Sequence, residues 1–215
     1  MKFLYLTLII LIGSVVNAQS YYNAELTFTD GTTKTGYAKV PNGDQKNVSF
    51  KNTLEEKPSK INSDDLFTII FRLDNMDEYV LERNSVKIMA TKKNGELYTS
   101  ISKKRGWFLQ NHAHKKLNFY TAGQRYKIDN DGDFNISSSG QVGFTGIGYY
   151  FKRPSEENVT YITAKMSGIQ VNHEKLFRNA ASTYLSDHKK LVERINNEEF
   201  KSYQLDEIYA IYISD

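Results

Sequence analysis

Three aspartates in one short loop form the sharpest local pattern that could do chemistry. Asp129, Asp131 and Asp133 stand at alternate positions. Calcium-binding loops begin in this way, because hard cations prefer several oxygen ligands close together. The sixth and twelfth positions hold Phe134 and Gly140, where an EF-hand needs glycine and a bidentate glutamate. The sequence therefore favours a polar hairpin turn over a calcium site.

Two histidines separated by one residue are the second candidate for metal chemistry. On a strand, His112 and His114 would share one face with about 7 Å between them. A zinc ion bound by this pair and a distant carboxylate would make a metal-dependent hydrolase. No HExxH-like frame supplies a base, so two polar histidines on an exposed strand are the simpler interpretation. We expect no bound metal and no other cofactor.

Positive charge is concentrated between residues 86 and 128, where ten lysines and arginines accompany one acid. Aromatic residues are interleaved with these cations, as in surfaces that face a polyanion or an anionic membrane. Lysines also protect sheet edges, and half the side chains of alternating strands point away from any common face. We therefore favour an ordinary solvated face. The candidate binding residues of this basic stripe, residues 87–127, are Lys103, Lys104, Arg105, Trp107, Lys115, Lys116, Arg125 and Lys127.

Composition excludes several classes of protein. The 215 residues include no cysteine, so the chain is not a disulfide scaffold, a thiolate zinc or iron–sulfur protein, or a cysteine-nucleophile enzyme. With 40% hydrophobic and 13% aromatic residues, the chain is too apolar to be disordered.

The first eighteen residues are typical of a secretory signal peptide. Lys2 gives a positive start, residues 3–12 are almost entirely apolar, and the compact Val16 and Ala18 precede Gln19. The apolar segment is shorter than the roughly 20 residues of a membrane-spanning helix. We expect cleavage after Ala18 and export of the remainder to the periplasm or the outer surface.

The elements that must position these residues are mostly short strands. Apolar and polar residues alternate in segments 25–29 and 35–40, on either side of Asp30-Gly31, and this pattern predicts a hairpin. The nearly continuous apolar run at residues 66–73 predicts a central strand. The pattern indicates an antiparallel β-rich domain over residues 19–165, either a sandwich or an open barrel. Further strands are predicted at residues 48–50, 79–81, 86–89, 97–102, 107–120, 125–128, 134–136, 148–151 and 160–163.

In the last fifth of the chain, apolar residues recur with the spacing that is typical of helices. Asn172 and Asp187 are predicted N-caps of the first and second helices, and a third apolar stripe runs from Leu205 to Tyr212. Helices this short are marginal alone, so they must dock. The sequence thus predicts an α+β fold in which C-terminal helices, residues 172–213, pack on the β-rich domain.

This tail, with the signal peptide and the aromatic run 149–152, resembles a group of small exported proteins of unassigned function common in Bacteroidetes. The resemblance implies export, a β-rich body and a helical tail, and it supplies no catalytic residue. The tail residues that carry it are Phe177, Ala180, Ala181, Tyr184, Leu185, Ser186, Asp187, Leu191, Val192, Ile195, Phe200, Leu205, Asp206, Glu207, Ile208, Ile211 and Tyr212.

Three functional hypotheses follow. The leading one is an exported non-enzymatic protein that acts by binding, because the sequence contains no convincing catalytic set. The first alternative is a peripheral binder of anionic lipid or polysaccharide that uses the basic stripe. The second is the hydrolase based on His112 and His114. An envelope protein, an anionic lipid or a polysaccharide is the expected kind of partner, and we expect no nucleic acid.

The export hypothesis predicts the mass of the native protein. Protein purified from its own cells should begin at Gln19, because signal peptidase removes the apolar leader. Intact mass spectrometry measures this directly. A cytosolic species that retains Met1 would contradict export.

Overall fold

The computed structural model describes residues 21–74, 76–91, 96–138, 146–166 and 173–214. The predicted signal peptide and the predicted cap Asn172 lie outside these ranges. Within them the chain forms twelve strands: β1 Tyr22–Phe28, β2 Thr33–Ala38, β3 Asn47–Lys51, β4 Ser59–Asn62, β5 Leu66–Arg72, β6 Glu78–Thr91, β7 Leu97–His112, β8 Asn118–Ala122, β9 Arg125–Ile128, β10 Phe134–Ser137, β11 Gly146–Lys152 and β12 Val159–Met166. Three helices follow: α1 His173–Tyr184, α2 Lys189–Asn196 and α3 Leu205–Ser214.

Ten of these strands form one sheet in the order β4-β3-β2-β1-β5-β6-β7-β8-β11-β12. The last strand returns to pair in parallel with β6, through Val159 with Val86 and Thr160 with Lys87. This pairing closes β6, β7, β8, β11 and β12 into a five-stranded barrel, and the remaining strands extend from it. The predicted α+β fold is confirmed, and its β-rich part contains a closed barrel.

Two long strands, β6 and β7, belong to both the barrel and the extension. The prediction of separate strands at 79–81 and 86–89 was wrong, because β6 continues through the polar Asn84, which is buried. The prediction of one strand over 107–120 was also wrong. Strand β7 ends at His112, and a turn leads into β8.

Three apolar clusters of described residues hold the fold together. The extension curls around Phe50, Phe71 and Trp107, and the β9–β10 hairpin covers this cluster with Tyr126 and Ile128. The three helices pack on the outer face of the barrel against side chains of β8, β11 and β12. Inside the barrel lies a small third cluster, formed by Phe108, Tyr120 and Val159 with Val86, Ala122 and Tyr150 packed against it.

The second helix begins one residue later than the sequence suggested. The N-cap of α2 is His188, whose Nδ1 accepts a hydrogen bond from the Leu191 backbone N–H at 3.2 Å. The predicted cap Asp187 instead accepts hydrogen bonds from Arg153 and from the Tyr212 hydroxyl, each at 2.7 Å. The Asp187 carboxylate therefore stabilises contacts with distant residues and does not cap α2.

A buried ion pair joins two strands across the barrel interior. Lys152 on β11 donates to the carboxylate of Glu82 on β6, and each side chain is only 7% exposed. Tyr120 donates to the other carboxylate oxygen at 2.5 Å, and Lys152 also donates to Asn84 Oδ1 at 3.3 Å. Burial and the nearby Glu82 charge raise the pKa of Tyr120, so its hydroxyl remains a neutral donor. Such a pair is stable only while each charge keeps its partner.

Removing the Lys152 charge should therefore be strongly destabilising. Lys152→Met leaves Glu82 buried without its counter-charge and should lower the free energy of unfolding by about 3–5 kcal/mol. The double variant Glu82→Gln/Lys152→Met should recover more than half of that loss, since no buried charge remains. Urea unfolding followed by circular dichroism measures both values. Lys165→Met, at an exposed position of β12, is the control; an equal loss there would contradict the argument.

Candidate functional site

The two histidines do not form the pair that strand spacing predicts. His112 ends β7, lies 3.2 Å from Asp206 Oδ1 and stacks on the rings of Phe119 and Tyr209. His114 lies beyond the strand, and its Nδ1 accepts the backbone N–H of Lys116 at 3.3 Å. Within the described part of the chain, no three histidine, aspartate or glutamate side chains are grouped to hold a metal. The hydrolase hypothesis has no third ligand among those residues.

The three aspartates lie in the hairpin turn between β9 and β10. Asp129 Oδ1 accepts the backbone N–H groups of Asp131 at 3.0 Å and Asp133 at 2.9 Å, and its Oδ2 accepts Asn135 Nδ2 at 2.7 Å. These hydrogen bonds, the Asp133 N–H first, hold the pKa of Asp129 below its usual range. Gly132 supplies the positive φ of 93° that the turn requires. The Asp129 carboxylate thus stabilises the turn through its own hydrogen bonds.

Trp107 is not on a binding surface, so that part of the basic-stripe prediction was wrong. Its side chain is fully buried, its Nε1 donates to Ser63 Oγ at 3.3 Å, and the Arg83 guanidinium lies over its ring. The Arg105 guanidinium is also partly used in structural hydrogen bonds, because it donates to the Arg83 carbonyl at 2.7 Å and the Asp64 carbonyl at 3.1 Å. The neighbouring aromatic residues Phe108, Phe119, Tyr120 and Tyr126 are buried as well.

The exposed cations of the stripe are divided among different elements. Lys103 and Lys104 are exposed on β7, whereas Arg125 and Lys127 are exposed on β9 and alternate there with buried residues. Lys115 and Lys116 lie in the turn between β7 and β8, where a cleft of about 870 Å³ separates that turn from α2. We call this the cationic cleft; its other lining residues are Arg153, Pro154, Ser155, Asp187, His188, Lys189, Lys190 and Tyr212.

Arg153 anchors the helices beside the cationic cleft. Its guanidinium donates to the Tyr184 carbonyl at 2.9 Å, to Asp187 at 2.7 Å and to the Tyr212 hydroxyl at 3.3 Å. Burial opposes ionisation of Asp187, but the Tyr212 hydrogen bond and the Arg153 charge outweigh it and hold the pKa of Asp187 below its usual range. This carboxylate and guanidinium thus tie α1, α2 and α3 to the end of β11.

A second cavity, of about 550 Å³, opens at the other end of the barrel. We call it the mouth pocket. Strand β11 presents Gly146, Gly148, Tyr150 and Lys152 at alternate positions of its inner face, and the two glycines add no side chain at the mouth end. The pocket is lined by Val86, Ile88, Ala122, Gly123, Gln124, Gly146, Gly148, Tyr150, Tyr161, Ile162, Thr163, Ala164, His173, Leu176 and Phe177.

Two tyrosine hydroxyls are among the polar groups of the mouth pocket. The Tyr150 ring meets Phe108 edge-on at 4.9 Å and Tyr161 at 5.7 Å. A Cβ at Gly148 would lie 2.3 Å from the Tyr150 hydroxyl, so glycine is required for this position. Burial raises the pKa of Tyr150 to about 12, which keeps the hydroxyl protonated. Among the described residues, none is hydrogen-bonded to the hydroxyl of Tyr150 or Tyr161, so both can serve a ligand.

The rim of the mouth pocket is apolar and exposed. Ile88 on β6 is 45% exposed and Leu176 on α1 is 63% exposed. Tyr98, also exposed, is paired with Ala90 and so lies on the same face as Ile88 beyond the barrel. Sequence analysis missed this pocket because its lining comes from distant segments. The glycine spacing at 146 and 148 was the available local signal.

Comparison of the chain with protein-family models, curated proteins and solved structures finds no match. Within the described residues, no helix combines the length and apolarity needed to cross a membrane. The mouth pocket and the cationic cleft are the two candidate sites of the described chain.

The lowered pKa of Asp187 predicts a pH-dependent contribution to stability. An unfolded aspartate has a pKa of about 3.9, so the ionised side chain stabilises the fold above that pH and loses its effect as the pH falls through the folded value. Asp187→Asn should therefore lower the unfolding free energy at neutral pH, by less than about 1 kcal/mol because the carboxylate is 56% exposed. The difference from the unmodified chain should shrink at about pH 2.

Urea unfolding at the two pH values measures this effect. Glu157→Gln, at an exposed carboxylate in the turn after β11, is the matched control. A difference between Asp187→Asn and the unmodified chain that is the same at both pH values would contradict the assignment.

Proposed function

We propose that this is an exported, non-enzymatic protein that binds a small, largely apolar molecule in the mouth pocket. Export is supported by the leader sequence and by the resemblance of the tail to small exported Bacteroidetes proteins. Binding is supported by one observation above all. The open end of the barrel holds a mainly apolar cavity into which two tyrosines project without hydrogen bonds from other described residues.

The size and chemistry of the mouth pocket suit a small organic ligand. A volume of about 550 Å³ lies within the usual range of ligand pockets, which combine apolar walls with a few polar groups that orient the ligand. Ile88 and Leu176 on the rim would cover the apolar part of a ligand. Tyr150 and Tyr161 would donate to an oxygen or nitrogen acceptor on it. The ligand class is thus an apolar molecule with one acceptor group.

The pocket lining also supports a non-enzymatic role. The described lining residues include no carboxylate, lysine or arginine. The one imidazole in the lining, that of His173, is within 2.9 Å of both Thr163 Oγ1 and the Ala164 carbonyl. These contacts position the start of α1 against β12, and general acid–base chemistry would require a group free to exchange its proton with a substrate. A binding role needs only the shape and the two hydroxyls.

The proposal predicts that filling the pocket abolishes binding. N-phenyl-1-naphthylamine, a neutral dye that fluoresces in apolar surroundings, should bind the purified mature protein. Ala122→Phe places a ring in the mouth pocket and should weaken dye binding by about tenfold or more, which corresponds to roughly 1.4 kcal/mol. Ala113→Phe, at an exposed position between β7 and β8, adds the same ring outside the pocket and should leave binding unchanged.

A second pair of variants tests the rim without filling the pocket. Ile88→Gln/Leu176→Gln replaces two exposed apolar side chains and should also weaken binding, whereas Leu54→Gln, exposed elsewhere, should not. Fluorescence titration measures each affinity, and circular dichroism verifies folding. Dye binding that is insensitive to both pocket variants, or equally sensitive to the controls, would overturn the proposal.

A further inference from the structure

The cationic cleft lies at the end of the barrel opposite the mouth pocket. Strand β11 runs from Gly146 at the mouth to Lys152, and Arg153 and Pro154, which follow it, line the cleft. Five cationic side chains and one carboxylate line this cleft, contributed by three separate segments of the chain. The cationic residues are Lys115, Lys116, Arg153, Lys189 and Lys190.

The four lysines differ from Arg153 in that their ammonium groups make no hydrogen bond or ion pair with another described residue. Arg153 is held by Asp187 and by the carbonyl and hydroxyl groups of the helices. No ion pair joins any of the four lysines to a carboxylate among the described residues, and Lys115, Lys189 and Lys190 are exposed. Four lysines that line one cleft add their charges to its positive potential, so an anion there would be stabilised.

The position of two of the lysines makes the potential of the cleft more positive. Lys189 and Lys190 occupy the first turn of α2, which contains no acidic residue. The aligned peptide dipoles make that end of a helix partly positive, so acidic side chains stabilise it and lysines do not. Two lysines here add to the positive potential of the cleft instead of neutralising it. The lysines of α2 and the lysines of the β7–β8 turn, Lys115 and Lys116, thus both favour a negatively charged ligand.

We propose that the cationic cleft binds an acidic polysaccharide chain. Lysine ammonium groups act as point charges without the planar fork of arginine, which suits several carboxylates or sulfates spaced along a flexible chain. The charges line a recess of about 870 Å³, which a chain can enter. The lysines stand on the two sides of this cleft, on the β7–β8 turn and on α2, so an extended chain that lies between them meets both pairs. This site is independent of the mouth pocket.

Polygalacturonate is the probe, and the same polymer with its carboxyl groups methyl-esterified is the matched neutral ligand. Isothermal titration calorimetry on the mature chain should show binding to the acidic polymer alone. The affinity should fall steeply as salt rises from about 50 to 200 mM, because each lysine contact releases a condensed counterion. Equal binding to the esterified polymer, or binding that salt does not change, would overturn the proposal.

Charge-matched variants locate the site. The cleft variant changes Lys115, Lys116, Lys189 and Lys190 to glutamine and should weaken binding at least about tenfold. The control variant also removes four exposed positive charges, at other positions of the basic stripe, and should weaken binding less than about threefold. The control positions, each changed to glutamine, are Lys103, Lys104, Arg125 and Lys127.

Two outcomes of this comparison would contradict the assignment. An equal loss in both variants would show that diffuse positive charge, and not the cleft, attracts the polymer. Binding to vesicles that contain phosphatidylglycerol, without binding to polygalacturonate, would assign the lysines to a membrane surface. Circular dichroism of both variants verifies folding, and the salt dependence of the unmodified chain tests the proposal even where a variant fails to fold.

Discussion

The ion pair between Lys152 and Glu82 is the constraint on which the barrel depends. Strand β12 closes the barrel through a short parallel contact with β6, and the ion pair links β6 to β11 from the inside. Two charges in an apolar interior are tolerated only because Tyr120 and Asn84 complete their hydrogen bonds. The same charges exclude any slip of β11 relative to β6, since a shift of one residue would turn Lys152 out of the barrel and leave Glu82 without its partner.

One strand, β11, connects this constraint to both candidate sites. Its inward positions change from glycine at the mouth, through Tyr150, to Lys152, so the barrel is open at one end and closed by charge at the other. Arg153 follows directly and fixes the helices beside the cationic cleft. Because the ion pair sets the register of β11, it also sets where Gly148 leaves room for the Tyr150 ring and where Arg153 meets the helices. Fold and sites therefore share one determinant.

Local sequence signals predicted the hairpins around Gly31 and Gly132 and the C-terminal helices correctly, and non-local contacts account for much of what was missed. The turns at Gly31 and Gly132 have positive φ, a requirement visible in the sequence itself. The polar Glu82, Arg83 and Asn84 looked like a break in the strand, yet partners far along the chain make their burial in β6 possible. The parallel closure by β12 leaves no sequence signature, because only two residue pairs form it. Two of the four lysines of the cationic cleft, Lys115 and Lys116, were predicted as part of the basic stripe. The two lysines of α2 were not, because they lie far from that stripe in the sequence.

The helical tail is more than a cover for the outer face of the barrel. Helix α1 begins at the mouth pocket with His173 and Leu176 and ends at Tyr184, whose carbonyl accepts from Arg153 beside the cationic cleft. Helices α2 and α3 contribute Lys189, Lys190 and Tyr212 to that cleft. The barrel alone would leave the mouth pocket without part of its apolar rim and the cleft without two of its four lysines. Docking of the tail thus completes the lining of both candidate sites, one at each end of the barrel.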